Sequence, residues 1–427
     1  MRTAAVVLAL VLALSALPVC ALEEWTIDSG TAGLLVEDHR APLLFVTIDF
    51  AAGSWSPWVE EHDAEAAFEI QMHDPNGELR RRADLLAASV WLYVSDRSST
   101  LSLACRKEDA AQALDLVRAI LANSDFDRSE LKRRRQESKL SWAASLKEPQ
   151  FVLQRAAVET LFGEDDPRRR RYEEPKLPPA DVARLVAARD ALVRFPGRVV
   201  GFAGDLTLEE ASRLADGLLP EAAREAPPDI APKLGPIAPA RSRPREKSIR
   251  LPRLTQVYFG YGRDSIGWLD PRFPASLVAD HALGGHFNSR LMVALRQEGG
   301  DTYGAYVRGF GDVDPGPYGI GSFTKNENAA PMEAKLRDVL ASFHTGGIHE
   351  AERALAAGNV VGRRAFSRQS PSSILATAMA ERRHGLPYGF FDGQSEKAAS
   401  LSLEEVNAFI REFYDPELFT MLVLQAE

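Results

Sequence analysis

Histidines are the first side chains to consider for metal-dependent chemistry, and the sequence contains eight of them. Zinc sites on helices need ligands on one face, with a further ligand from another segment. The pairs His281/His286 and His344/His349 are each five residues apart and are interrupted by glycines, so neither suits one helical face. No H-E-x-x-H, H-x-x-E-H or C-x-x-C motif occurs in the sequence. We therefore expect no zinc site and no cofactor in this chain.

Nucleophilic and dinucleotide-binding motifs are also missing from the sequence. There is no G-x-S-x-G elbow, and Ser289 is predicted to be a helix N-cap before an amphipathic run. Cys105 falls in a strand pattern, where a small buried side chain is the expected role. Gly260-Tyr261-Gly262 lacks the spacing of a dinucleotide-binding loop, and we predict a turn there. The pattern of an independent enzyme, a nucleophile beside a base, is not visible.

One segment, Asp280–Phe310, combines a helix ending at Gly284-Gly285, a second amphipathic helix up to Glu298, and a strand from Tyr303. It resembles the C-terminal half of the pitrilysin/insulinase-type zinc peptidases, especially the short processing-peptidase-like members. Their pattern there is L-G-G-x-x-S-S-R-L-x-x-x-L-R-x-x-x-G-L-x-Y, in which Asn288 of this chain replaces the first serine. Ten positions agree within twenty-one, namely Leu283, Gly284, Gly285, Ser289, Arg290, Leu291, Leu295, Arg296, Gly300 and Tyr303.

The resemblance also shows what this sequence lacks. The family's catalytic domain carries H-x-x-E-H on a helix soon after the first strand, and a glutamate ligand on a later helix. The corresponding residues here are Ala67-Phe68-Glu69-Ile70-Gln71; a shift by one keeps Glu69 as the acid but puts Ala66 and Ile70 at the histidine positions. The third-ligand position falls at Leu140 or Ser141. Alanine and isoleucine offer zinc no lone pairs, so we expect that this chain alone cannot hold a water-activating metal.

The resemblance implies a role for Arg296 and Tyr303. In the family, this pair comes from the C-terminal domain and reaches the active site on the facing domain. There it hydrogen bonds to the substrate carbonyl and to the oxyanion of the tetrahedral intermediate. A cation and a phenol hydroxyl suit that role, because both are donors that stabilise developing negative charge. Without the resemblance, Arg296 could instead complement a helix C-terminus and Tyr303 could pack on a sheet. We predict that Arg296 and Tyr303 are catalytic residues.

The elements that must position these residues occur twice along the chain. A strand at Leu43–Ala52 is followed by helical patterns, two strands, further helices and a closing strand, and Leu254 to Leu424 repeats this order. A proline-rich stretch within Pro220–Arg250 separates the copies. We predict an α+β fold of two homologous domains, each with helices on a mostly antiparallel sheet, together forming half of a clamshell. The predicted boundaries are a signal peptide at 1–21, an N-terminal domain with the degenerate zinc motif at 22–225, a linker at 226–250 and a C-terminal domain at 251–427.

Composition and the N-terminus bear on location and partners. The 427 residues carry a net charge of −9 and are 45% hydrophobic, a globular composition without the charge of a nucleic-acid binder. A basic start, an apolar run at Ala4–Leu14 and small residues up to Ala21 indicate a secretory signal peptide, with lipidation of Cys20 as the alternative. No other stretch has the length and apolarity of a membrane span. We expect an exported protein, with the periplasm as our hypothesis.

These observations lead to one functional hypothesis and one alternative. The hypothesis is that this chain is the zinc-free subunit of a heterodimeric exported metallopeptidase and is inactive alone. A homologous H-x-x-E-H subunit would hold the zinc, and this chain would complete the chamber around a peptide or unfolded protein, with Arg296 and Tyr303 acting in trans. The alternative is a non-enzymatic pseudo-peptidase that serves as a peptide-binding or scaffold subunit.

Overall fold

Two mixed β-sheets, each covered by helices, build this protein. The computed structural model describes residues 22–27, 30–176, 181–226, 230–300, 302–309 and 311–427. The expected signal peptide at 1–21, including Cys20, lies outside these residues. Helices packed on two mixed sheets make the fold α+β, which confirms the fold class predicted from the sequence.

The first sheet has six strands in the order β1-β2-β6-β3-β5-β4. β2 and β6 run parallel, and the remaining neighbours are antiparallel. Side chains alternate between the two faces of a strand, so Leu44, Val46 and Ile48 of β3 point together into the core and are fully buried. The strands are β1 (Leu22–Thr26), β2 (Ala32–Glu37), β3 (Leu43–Phe50), β4 (Ser89–Val94), β5 (Ser99–Arg106) and β6 (Val199–Gly204).

The second sheet has five strands in the order β7-β11-β8-β10-β9, with β7 and β11 parallel and the other pairs antiparallel. Order and strand directions repeat those of β2-β6-β3-β5-β4 in the first sheet, so the internal duplication is visible in the topology. The strands are β7 (Glu246–Arg250), β8 (Gln256–Asp264), β9 (Ala305–Arg308), β10 (Pro317–Lys325) and β11 (Thr420–Gln425).

Helices follow the strands in a similar order in both halves. In the first half they are α1 (Pro57–Glu61), α2 (Ala64–Ile70), α3 (Glu78–Leu85), α4 (Ala110–Leu121), α5 (Arg128–Ser145), α6 (Pro149–Leu161), α7 (Val182–Val193) and α8 (Leu208–Ala215). In the second half they are α9 (Phe273–Gly284), α10 (Arg290–Met292), α11 (Ala329–Gly346), α12 (Glu350–Phe366), α13 (Pro371–Arg383), α14 (Phe390–Ser400) and α15 (Leu403–Phe413). Among the described helices, none combines the length and apolarity that crossing a bilayer requires.

Each half of the chain contributes one helix to the sheet of the other half. α6 packs with Leu153 against Leu422 of β11. α13 packs on β2 and β6, where Leu375 and Met379 lie over Gly201. A Cβ at Gly201 would lie 2.6 Å from Leu375 Cδ1, so glycine is what allows this close approach. Burial of a large apolar side chain stabilises by about 1.5–3 kcal/mol, so the exchanged helices hold the two sheets together.

Ion pairs reinforce the junction between the halves. Arg97, in the turn between β4 and β5, places Nε 3.0 Å from Asp312 Oδ2 and stacks on the Trp55 ring at 5.1 Å. Arg383 at the end of α13 donates to Asp49 Oδ2 of β3 at 2.6 Å. The Asp49 side chain is only 4% exposed, so this pair is shielded from solvent and salt.

Two segments differ from the sequence prediction in their local structure. Gly260-Tyr261-Gly262, predicted as a turn, lies inside β8 at the centre of the second sheet, and that prediction was wrong. A Cβ at Gly262 would lie 3.3 Å from Ala157 Cβ, so this glycine serves the close packing of α6. Glu246–Arg250, at the end of the proline-rich stretch, forms the edge strand β7 beside β11.

Candidate functional site

Ala67–Gln71, the residues predicted to correspond to the family's zinc motif, lie on α2 and at its C-terminal end, where most of their side chains pack in the core. Ala67 and Phe68 are fully buried in the first hydrophobic core, and Ile70 is 1% exposed. Gln71, at the position of the second histidine, is fully buried, and both of its amide atoms lack a hydrogen-bond partner among the described residues. Leu140, one of the two third-ligand positions, is 63% exposed on α5.

A guanidinium is bonded to the only carboxylate of this motif. Arg134 of α5 places Nη1 3.1 Å from Glu69 Oε2 and Nε 3.0 Å from Glu130 Oε1. Hydrogen bonding from Arg133, together with Arg134, lowers the pKa of Glu130 to about 2, so this carboxylate stays ionised for its arginine partners. A fixed cation beside Glu69 repels a divalent metal. Within the described residues, no group of three or more histidine, cysteine, aspartate or glutamate side chains could hold a metal ion. The donor set therefore does not fit zinc.

Among the remaining histidine and cysteine candidates, His281 and Cys105 are buried. The rings of His281 and His286 stack with their centroids 4.6 Å apart. Burial, with smaller contributions from His286 and Arg363, lowers the pKa of His281 to about 4, so its imidazole is neutral at pH 7. Cys105 is buried, and desolvation raises the pKa of its thiol to about 11, which leaves almost no thiolate at neutral pH.

The Gly284-Gly285 turn brings the C-terminal end of α9 against β9. A Cβ at Gly284 would lie 2.6 Å from Val307 Cγ2 and 3.0 Å from the Val307 nitrogen, so a glycine is needed for the end of α9 to touch the strand. Ser289 occupies the N-cap position of α10, as predicted, but its side chain makes no capping hydrogen bond. The chain then continues beyond α10 as a π-helical segment, Val293–Glu298.

Arg296 lies on this π-helical segment, with its side chain exposed. Its guanidinium carbon is 4.9 Å from the centre of the Phe287 ring, and it forms no ion pair with any described residue. Gln297 fixes the loop beneath, since its Nε2 donates to the Phe287 carbonyl at 2.9 Å and to Asn288 Oδ1 at 3.1 Å. π-helical turns are uncommon and often coincide with functional positions. The loop that carries Phe287 is therefore held by hydrogen bonds, and the exposed Arg296 guanidinium that stacks on it can contact another molecule.

Tyr303 precedes β9 and is 81% exposed. Its neighbour Thr302 is buried, and Thr302 Oγ1 both donates to the Gly304 carbonyl at 3.0 Å and accepts from the Gly304 nitrogen at 3.1 Å. Ser322 Oγ donates to the same carbonyl at 2.9 Å. This network holds the backbone on both sides of Tyr303, whose phenol has no hydrogen-bond partner among the described residues. Tyr303 does not pack on the sheet, and it makes no hydrogen bond with Arg296.

An acidic cluster beside α2 was not recognised in the sequence. Glu65 is exposed on α2, although neighbouring elements reduce the hydration of its carboxylate. Desolvation, followed by the charges of Glu69 and Asp96, raises its pKa to about 7, while Arg170 opposes the shift. Asp96 lies in the turn between β4 and β5, far from Glu65 in the sequence, so no local motif could have revealed the cluster.

Comparison with known proteins adds the family. No curated protein matches the sequence. Residues 198–358 match the family described as "Peptidase M16 inactive domain". This region contains α9, α10, Arg296 and Tyr303. Residues 198–358 are therefore similar to an M16 inactive domain, and the resemblance to the pitrilysin/insulinase-type peptidases that the sequence indicated is confirmed.

Three solved structures with this fold differ in length. A peptidase M16 inactive domain from Pseudomonas fluorescens has 20% identity and a TM-score of 0.81, covering 95% of this chain and 98% of that chain. The periplasmic protease PqqL from Escherichia coli has 14% identity and a TM-score of 0.75, covering 95% of this chain and 45% of that chain. A mutant of the ferredoxin protease FusC in complex with Arabidopsis ferredoxin has 14% identity and a TM-score of 0.73, covering 96% and 45%. At these identities the likeness establishes the fold alone.

Proposed function

We propose that this chain is the zinc-free subunit of a heterodimeric, exported metallopeptidase, to which it contributes Arg296 and Tyr303 in trans. The observation that carries the proposal is the state of these two side chains. Both project from supported backbone into solvent without an ion pair or hydrogen bond to any described residue, while the zinc motif of the same chain is buried in the core. Exposed donors without a local partner are suited to a site completed by another chain.

The chemistry assigned to this chain is electrostatic. When bound in the partner's H-x-x-E-H site, zinc would activate the attacking water. In this chain, the Arg296 guanidinium and the Tyr303 hydroxyl would donate to the substrate carbonyl as negative charge develops on its oxygen. Donors held in advance at that position need no reorganisation during the reaction and are most effective where water is excluded. Stacking on Phe287 would hold the guanidinium in place.

Size and architecture support a division of the chamber between two chains. This chain spans less than half the length of PqqL and FusC. Each of those proteins would hold both halves of the chamber in one chain, whereas this chain would need a second chain for the other half. We infer that two homologous domains, at 22–225 and 251–427 with the linker at 226–250, form half of a clamshell. The names of these relatives, a periplasmic protease and a protease bound to ferredoxin, support a periplasmic location and a polypeptide substrate for this chain.

Peptide binding is supported by the free edge of the first sheet. β4 ends the sheet, and its Trp91 and Tyr93 are 55% and 49% exposed on the same face. An edge strand offers unpaired backbone groups to an extended peptide, and alternate aromatic side chains can contact the substrate. This surface would also serve the alternative function, a peptide-binding or scaffold subunit without catalysis.

Reconstitution with a metal-bearing partner tests the proposal. This chain would be co-expressed with a homologous exported H-x-x-E-H chain, and peptide cleavage would be measured for wild type, Arg296→Ala and Tyr303→Phe. Each variant should assemble normally and lose about 10²–10³ in kcat, as on removal of one oxyanion donor. Arg411→Ala, an exposed arginine on α15, is the matched control and should retain the rate. Undiminished turnover in both variants would leave the scaffold function as the better account.

A further inference from the structure

A surface pocket of about 410 Å³ lies on the first domain, outside the site described above. It is bounded by the C-terminal ends of α4 and α7 and by the turn that follows α8. Arg118, Arg189 and Arg194 line it together with Ser124 and Pro220. Among the described residues that line the pocket, Asp190 is the only carboxylate, and Arg118 is paired with Asp115 outside the lining, with Nη1 2.6 Å from Asp115 Oδ1.

Arg189 is the unusual member of this lining. Its side chain is 1% exposed, and its Nε donates to Asp190 Oδ1 at 2.8 Å. Nη1 is fully shielded from water and has no hydrogen-bond partner among the described residues, and the guanidinium carbon lies 5.6 Å from the centre of the Phe126 ring. Asp190 is 56% exposed and therefore a weak counterion. Burial lowers the pKa of Arg189, as expected for a cation that its surroundings do not satisfy. A buried charge without full pairing is costly unless something completes it.

The neighbouring arginines add to the positive charge. Arg194 follows α7, is exposed, and forms no ion pair with any described residue. Arg198, 2% exposed, lies behind the pocket wall. Its Nη1 donates to the carbonyls of Val193 at 2.8 Å and Pro220 at 2.7 Å, and no carboxylate of the described residues pairs with it. In a chain with a net charge of −9, this is a local concentration of cations.

We propose that this pocket binds a small oxyanion, held by hydrogen bonds from the exposed Arg194 and attracted by the buried positive charge of Arg189 behind the lining. Guanidinium groups bind phosphate and carboxylate oxygens through charge-assisted hydrogen bonds, and the Arg194 donors form no ion pair with any described residue. The bound anion would connect the end of α7 to Pro220, where the proline-rich stretch between the two sheets begins. This site is independent of the proposed peptidase role.

Titration of the purified chain tests the site, with inorganic phosphate and citrate as separate probes. Calorimetry at constant ionic strength should show saturable binding of one anion per chain, and the probe that binds more tightly identifies phosphate or carboxylate chemistry. Arg194→Ala should weaken binding at least ten-fold, and Arg411→Ala should leave it unchanged. Either probe should raise the melting temperature of the wild type but not that of Arg194→Ala. Comparing the two proteins is necessary because multivalent anions also stabilise proteins by general exclusion from their surface.

Arg189→Met provides a second, independent variant. It removes the buried cation while keeping an unbranched side chain, so the variant should fold with unchanged or higher thermal stability in chloride, yet bind neither anion. Absence of saturable binding of both probes to the wild type would overturn the proposal. Equal affinities for wild type and Arg194→Ala would also overturn it.

Discussion

At the scale of single residues, Arg296 differs from Arg97, Arg134 and Arg383 in how its guanidinium is used. Arg134 and Arg383 bind carboxylates, and Arg97 pairs with Asp312 between the halves. Arg296 stacks on the face of Phe287 and forms no ion pair with any described residue. An arginine that stabilised this chain would be expected to use its donors within it, so the unused donors favour a role at a surface between molecules.

Asp280 allows a prediction about pH. Its Oδ1 accepts from the hydroxyls of Tyr318, at 2.7 Å, and Tyr414, both of which are buried. A small part of Asp280 reaches solvent, but desolvation outweighs these hydrogen bonds and raises its pKa to about 6. The folded state therefore binds the proton more tightly than the unfolded state. The stability contributed by this proton is present below about pH 4 and is lost as the pH rises through about 6.

Asp280→Asn should remove this pH dependence. Relative to the variant, the wild type should lose on the order of 2 kcal/mol of unfolding free energy between pH 4 and pH 7. Urea denaturation of both proteins across this range measures the difference and cancels the other titrating groups. Parallel stability curves would show that Asp280 does not hold the proton.

At the scale of elements, the contact between α9 and β9 positions the Arg296 segment. Gly284→Ala would force a Cβ to within 2.6 Å of Val307 Cγ2. We expect a loss of about 1–3 kcal/mol of unfolding free energy, because the helix end must move away from the strand. Gly358→Ala on α12 is the matched control: its Cβ would meet nothing within 4 Å, and it should stabilise the helix by up to about 1 kcal/mol. Chemical denaturation of both variants checks this, and similar effects would contradict the packing argument.

Local patterns predicted much of the element order, whereas pairings over long distances in the sequence were not accessible. The strands β8, β10 and β11 could be anticipated because apolar alternation marks a strand whatever its partner. β1, β2 and β7 were missed, since short edge and near-edge strands carry little pattern of their own. The exchange of α6 and α13 between the sheets depends on contacts such as Leu153 with Leu422, which no local period encodes.

The candidate site could be predicted from the sequence only where a local motif marks its residues. Arg296 and Tyr303 were located through a motif whose glycines have a clear steric reason, as Gly284 shows. Arg134 beside Glu69 and the elevated pKa of Glu65 arise from the packing of α5 and the β4–β5 turn around α2. Such neighbours become adjacent only after folding, so the sequence could indicate that the zinc motif was lost but not what had replaced it.

At the scale of the whole molecule, the chain is two interlocked sheets without a metal centre among its described residues. Purified chain should therefore contain no stoichiometric zinc, because buried Ala67 and Gln71 replace imidazoles and Arg134 repels a divalent cation. Elemental analysis after dialysis against a weak chelator measures this. One tightly held zinc per chain would contradict the assignment.

The central claim is that this chain completes another subunit's active site. Its most direct test is the single-turnover cleavage rate of the reconstituted complex, comparing wild type with the double variant Arg296→Ala/Tyr303→Phe at equal, independently verified assembly. The account predicts that neither chain cleaves alone, that wild type restores cleavage to the metal-bearing partner, and that the double variant assembles but is at least about 10²-fold slower. Cleavage by this chain alone, or equal rates for the two complexes, would contradict it.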